Sequence, residues 1–216
     1  MRTAKLQSGG SYTMGEQLLD LHRCPNCSVA NPVLLRCWTS SGPVRPNPAK
    51  DAYHWGAYVC TTCNNLVLVS GYAFEREFVV RTCTPNPKYA HEDIPEIARK
   101  FLQQAFETLH APDAATLMAG AAVDAMLKEL GYTENSLYHR IDQALKDNII
   151  TASMAEWAHS VRLGANRPRH ADKDAPHVSE TEAEQAVEFA EALGHFLFVL
   201  SARIHRGIKA SHAAVK

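Results

Sequence analysis

The chain has no apolar run long enough to cross a bilayer. Its longest candidate, Phe196 to Ala202, falls far short of the ~20 residues a spanning helix needs. It has almost no net charge, −1 over 216 residues, so its overall electrostatics neither demand nor exclude a nucleic-acid partner. The opening stretch, MRTAKLQSGGSYT, lacks the apolar core of a secretory signal. Export is therefore not expected, disulfides are disfavoured, and the expected location is cytoplasmic. There is no internal repeat. What is present is an ordinary hydrophobic content of 46%, a length suited to one large or two small domains, and six cysteines with a telling arrangement.

Four of the six form two Cys-x-x-Cys pairs, Cys24–Cys27 and Cys60–Cys63. A two-residue spacer lets both sulfurs of a pair face one ion, and two such knuckles complete a tetrahedral shell. Zn2+ is the expected metal, because it accepts four thiolates without redox chemistry; iron in a rubredoxin-like site is the alternative. Four cysteines leave no open coordination position, so the site reads as structural. A thioredoxin-like redox pair would need only one copy of the motif, in a βαβ setting. His22, His54 and His91 are possible substitute ligands but lack paired spacing. Cys37 lies in an apolar run and Cys83 ends another, so both are expected to be buried thiols.

The first fifteen or so residues are rich in Gly, Ser and Thr. Strands are expected at Val33–Trp38, Tyr53–Val59, Leu66–Phe74 and Arg76–Cys83, the second knuckle preceding the third strand, as in an antiparallel zinc ribbon. A metal would compensate for a core too small to hold alone. Thr84-Pro85-Asn86-Pro87 cannot continue a ladder and marks a boundary. Helical periodicity follows. Pro95 fits a first helical position, with Ile97, Phe101, Ala105 and Leu109 as a stripe. A second helix runs from Pro112 to Leu130, and Gly131 is its expected C′ residue. Its small stretch Ala119–Ala122 permits close approach of another helix. Leu137, Ile141 and Leu145 define a third helix. Met154, Trp157, Ala158 and Val161 define a fourth, ended by Gly164. Ser179–Glu182 is a capping box opening the longest helix, with Val187, Ala190, Leu193, Leu197 and Leu200 as its buried stripe. The expected fold class is α+β: a zinc-ribbon β domain at 16–84, then an all-α bundle of about five helices at 92–207.

The polar stretch Arg162 to Asp172, read as a loop between the fourth and fifth helices, carries three arginines, an amide and a histidine. Arginine forks suit phosphate oxygens, and histidine exchanges a proton near neutral pH. Such a set can hold an RNA phosphate while His170, oriented by Asp172, takes a proton from a 2′-hydroxyl. The alternative is a solvated loop in which Arg162 caps the fourth helix and Asn166 holds a turn. Trp157 reads as core. His139-Arg140 and His205-Arg206 read as solvated faces. Asp124 either pairs with a loop arginine or stays exposed.

Ile94–Ala98, Ala119–Lys128, Met154–Ala158 and Arg162–Asp172 resemble a bacterial family catalogued as domain of unknown function 4145. The resemblance covers roughly Pro95 to Arg203, and a zinc ribbon ahead of the helices is similar to what that family shows. The family looks like a branch of the HEPN superfamily of helical bundles, many of them metal-independent ribonucleases that pair as dimers. The resemblance implies a HEPN-like bundle in which Arg162, Asn166 and His170 are the catalytic set, with Arg167 and Arg169 available to nucleic acid. It implies a homodimer, an RNA substrate, and a role in phage defence or stress response, within a larger complex in some members. Seven residues separate Arg162 from His170, more than is usual in that superfamily. A binding module for nucleic acid or protein, without catalysis, is the competing expectation. Arg36, Arg45 and Lys50 would then be candidate phosphate contacts on the ribbon.

Overall fold

The computed structural model describes residues 14–45, 47, 50–74, 77–170 and 176–214. The chain separates into two compact units, one ending at Lys88 and one starting at Tyr89.

The first unit is a four-stranded antiparallel meander, β1 (Leu34–Thr39), β2 (His54–Cys60), β3 (Leu66–Phe74) and β4 (Glu77–Thr84), paired in chain order. Period-two alternation decides which side is buried. Val67 and Val69 of β3 are buried while Leu66 and Leu68 are exposed. Leu34, Tyr58, Cys60, Val80 and Cys83 complete the inner layer, and Met14, Leu18 and Leu21 cover it from the preceding segment. That segment is tied to the sheet by backbone bonds from Leu18 N–H to Leu34 and from Arg36 N–H to Glu16. The buried Tyr58 hydroxyl donates to the Gly15 carbonyl at 3.1 Å.

Cys37 departs from expectation: it is exposed. The β1–β2 register slips between Arg36 and Trp38, making Cys37 the extra residue of a bulge, and its thiol donates to the Ala57 carbonyl. Cys83 is buried as expected. A second bulge follows Ser70, where β3 and β4 come very close. A Cβ added to Gly71 would lie 2.1 Å from the Val79 carbonyl oxygen.

The second unit consists of α1 (Glu96–Glu107), α2 (Pro112–Glu129), α3 (Leu137–Lys146), α4 (Ala152–His170), α5 (Glu180–Gly194) and α6 (Leu200–Ala214). A π-helical turn, His195–Val199, joins α5 to α6, and the backbone stays right-handed helical at both junctions. The described residues of this unit therefore form five rods. Pro95 is the N-cap of α1, not its first helical residue. The buried residues of α1 are Ala98, Leu102, Ala105 and Phe106; of the expected stripe Ala105 is buried, Phe101 and Leu109 pack partly buried against the core, and Ile97 faces outward. Gly131, at φ +96°, ends α2. Its N–H bonds to Lys128 and that of Tyr132 to Leu127, the paired Schellman pattern. The capping box of α5 is present in both directions between Ser179 and Glu182.

α2 is central, with Ala115, Ala119, Ala122, Val123, Met126 and Leu127 all buried. Its small stretch meets α4 closely: a Cβ on Gly120 would lie 2.9 Å from that of Ala165. A Cβ on Gly164 would approach Thr116 Cγ2 at 3.3 Å. Gly164 therefore serves a helix–helix contact and does not stop α4, which continues to His170 with Pro168 inside it. Residues 165–170 are helix, not loop.

Gly71→Ala is expected to destabilise the sheet unit by ~1–3 kcal/mol, because backbone lies on both sides of the clash. Denaturant unfolding read from Trp38 and Trp55 in a Trp157→Phe background checks this; an unchanged midpoint contradicts it.

Candidate functional site

The four paired cysteines converge. The sulfurs of Cys24, Cys27, Cys60 and Cys63 lie within 4.8 Å of one another, and those of Cys24 and Cys63 are 4.0 Å apart. Thiolates around one ion at ~2.3 Å would sit about 3.8 Å apart, so the cluster is close to a tetrahedral shell. Two equivalent turns build it. In the first, Ser28 N–H bonds to the Cys24 carbonyl and Cys24 N–H to that of Val29. In the second, Asn64 N–H bonds to Cys60 and Cys60 N–H to Asn65. Each turn closes on a residue in the left-handed region, Ser28 at φ 61° and Asn64 at φ 57°. The Asn26 side-chain amide donates to the Leu66 carbonyl and links the turns.

Without an ion the thiols differ. Burial pushes Cys24 up and Cys27 up to about 12. For Cys60, burial also raises the thiol, but backbone N–H groups of Cys63 and Thr62, with the thiols of Cys24 and Cys63, bring it down to about 7. A donor set of four sulfurs, with backbone N–H groups directed at them, fits a cation bound as thiolates. None of His22, His54 or His91 joins the group.

The residues expected to be catalytic lie along α4. Arg162, Asn166 and His170 follow at intervals of four, which places the three positions on one ridge of the helix. The rise between the first and last is about 12 Å. The side chains of Arg169 and His170, and all of Asp172, lie outside the described residues. Arg162 is half-buried, with its guanidinium 5.3 Å from the centre of the Tyr138 ring. Arg167 forms an ion pair with Glu182, so it joins α4 to the capping box of α5.

Packing also brings in residues that the sequence pattern does not mark. His159 Nε2 donates to Asp142 Oδ1 at 3.0 Å, and its ring lies 4.8 Å from that of Tyr138. Asp142 and Tyr138 come from α3, so only the α3–α4 contact assembles this group. Among the described residues, His159 Nδ1, Arg162 Nε and Arg140 Nε are buried without a hydrogen-bond partner. The sole signal in the sequence is the spacing of His159 and Arg162, three apart on one helix.

The remaining polar candidates are structural. Arg140 is 11% exposed and pairs with Asp124 at 2.5 Å, and it donates to the carbonyls of Thr133 and Asn135. Lys128 holds the other Asp124 oxygen. Asp124 thus pairs across helices with Arg140, neither exposed nor bound to Arg162–Arg169. Arg206 forms a two-pronged pair with Asp93. Trp157 is half-exposed, packing one side on Phe189 at 5.1 Å. On the first unit Arg36 pairs with Glu16.

An antiparallel meander with a four-thiol cluster, followed by a helical unit, makes this a mixed α+β protein with a candidate metal centre. The family model described as domain of unknown function (DUF4145) matches residues 102–210, just over half of the chain and most of the helical unit. The chain belongs to that family. Neither a curated protein nor a solved structure matches it.

Cys24→Ser and Cys60→Ser should each drop the bound metal well below one ion per chain in elemental analysis of the purified protein, while Cys37→Ser leaves it unchanged; equal metal in all three contradicts the centre. The cap of α5 is open to a pH test. Bonds from Arg167 and from Ser179 hold Glu182 down to about 2, against an ordinary 4.5. Its contribution is therefore full above 4.5 and fades as pH falls through about 2. The stability gap between wild type and Glu182→Gln should close over that window in thermal melts; a gap independent of pH contradicts the assignment.

Proposed function

We propose that the protein is a HEPN-like, metal-independent endoribonuclease with a structural zinc ribbon, acting in phage defence or stress response. The observation that carries this reading is the helical run of α4 through Arg162, Asn166 and His170, which aligns an arginine, an amide and a histidine position on one ridge. Arg162 is braced by Tyr138, which limits its freedom and aims its charge. In the proposed reaction, His170 takes the proton of an RNA 2′-hydroxyl. The 2′-oxygen attacks phosphorus, and Arg162 offsets the charge on the pentacovalent phosphate. The P–O5′ bond breaks, and the departing oxygen takes a proton from the imidazolium or from water. The products are a 2′,3′-cyclic phosphate and a 5′-hydroxyl. Asn166 positions the backbone between the two. Zinc is the reading for the thiol cluster because four thiolates in a closed shell suit a redox-inert ion.

One observation favours a second reading, in which RNA is gripped without being cut. The rise of about 12 Å between positions 162 and 170 is long for two groups meeting one phosphate. Arg162 would then be a phosphate anchor whose binding weakens steeply with salt.

End-labelled single-stranded RNA incubated with the full chain in excess chelator separates these readings. Cleavage to a cyclic phosphate, reduced at least 100-fold by either His170→Ala or Arg162→Ala, is the expected outcome. Equal cleavage by His170→Ala rejects the nuclease assignment. Salt-sensitive binding without product supports the second reading, and absence of both rejects each.

A further inference from the structure

α1, α2 and α3 line a cleft of about 560 Å3, a size that suits a small ligand. Its floor is α2, where Gly120, Ala121 and Ala125 are too small to fill the space between the flanking helices. Phe101 and Ile97 of α1 line it from one helix and Leu137 of α3 from another. Ile97 is 66% exposed, so part of this apolar lining is open to water. From Gly120 to Lys128 the floor rises about 12 Å.

Charge gathers toward the C-terminal end of α2. Lys128 and Arg140 hold the two oxygens of Asp124, so the three side chains together carry +1. Lys128 is 47% exposed, and its ammonium has three donors for the single Asp124 oxygen beside it. Arg140 keeps its Nε buried without an acceptor, so Asp124 does not exhaust the guanidinium. Glu129 also lines the cleft and is exposed, adding one negative charge outside that group.

We propose that this cleft binds a small amphipathic monocarboxylate, its acid group against Lys128 and its apolar body over Ala125 and Ala121 toward Phe101. Charge selects the ligand. One negative charge balances the +1 group, whereas a second, as in a dicarboxylate or a phosphate dianion, would face Asp124 and Glu129 unpaired. Length sets the body: a saturated chain of about eight to ten carbons matches the ~12 Å rise of the floor. Arg140 is a positioning residue, which occupies one oxygen of Asp124 and leaves Lys128 free to turn to the ligand. The cleft shares no residue with the Arg162 ridge, and the proposal does not rest on the RNA reading.

Equilibrium dialysis of labelled octanoate against the full chain should show one saturable site per chain, with a Kd of about 100 μM or tighter. Octanamide, which keeps the shape and lacks the charge, should bind roughly tenfold more weakly, and so should suberate, which carries a second carboxylate. Lys128→Gln should bring octanoate and octanamide to within about twofold of each other, whereas loss of a merely structural lysine would weaken both alike. Ala125→Phe, which fills the floor, should abolish binding with helical circular dichroism unchanged; if it does not fold, the Lys128→Gln comparison decides. Absence of saturable octanoate binding overturns the proposal. So does a preference for octanoate over octanamide that persists in Lys128→Gln, and so does undiminished binding by a folded Ala125→Phe. An acetylated trileucine with a free C-terminal carboxylate that binds roughly tenfold tighter than octanoate would assign the cleft to a protein C-terminus and overturn the small-acid assignment.

Discussion

Two small residues set the form of the helical unit. Gly120 on α2 and Ala165 on α4 bring those helices together at a separation that one added methyl would breach. The contact holds because α2 is buried on nearly every side, so α4 has a fixed surface to lie on. From it follows the extension of α4 past Gly164, and from that extension the ridge carrying Arg162 and Asn166. The same packing sets α3 against α4 closely enough for Asp142 to reach His159 and for Tyr138 to lie under Arg162. The polar face is thus a product of the apolar one. Its members sit on rigid rods, which is where a site needing sub-ångström placement is best held.

Charged groups elsewhere in this unit do different work. Asp124, Arg140 and Lys128 form a partly buried network in which Arg140 also satisfies two backbone carbonyls. These residues are better understood as ties between α2, α3 and the turn before α3. Arg206 and Asp93 likewise fasten the C-terminal rod to the segment before α1. The distinction matters for function: both Arg140 and Arg162 keep a buried Nε unmatched, but Arg140 is paired with Asp124 whereas Arg162 has no carboxylate partner among the described residues.

Local patterns were legible from residues alone. The four strands, the capping box at Ser179 and the left-handed Gly131 all depend on neighbours within a few positions, and the observed elements lie within a residue or so of those expected. The cysteine pairs were equally plain, because each knuckle is a local turn. Features decided by distant partners were not. A glycine late in a helical pattern looks the same whether it caps the helix or admits a neighbour, and at Gly164 the deciding atom is on Thr116. Cys37 reads as core until a register slip turns it outward. Trp157 sits on the apolar stripe yet reaches the rim, and Arg140 reads as surface until Asp124 is placed beside it. His159 and Asp142 carry no spacing that could join them across two helices.

The unequal origins of the two thiol turns bear on how the first unit assembles. Cys60–Cys63 occupies the short connection between neighbouring strands and takes shape with its own hairpin. Cys24–Cys27 arrives from a segment far earlier in the chain, held to the sheet by backbone bonds, the Tyr58 hydroxyl, the Arg36–Glu16 pair, the Asn26 amide and the cover of Met14, Leu18 and Leu21. An ion shared by both turns would act as the clasp on the longest loop of the unit, where closure entropy is greatest. Loss of that ion would free the leading segment first and leave the central hairpin as the last element to melt.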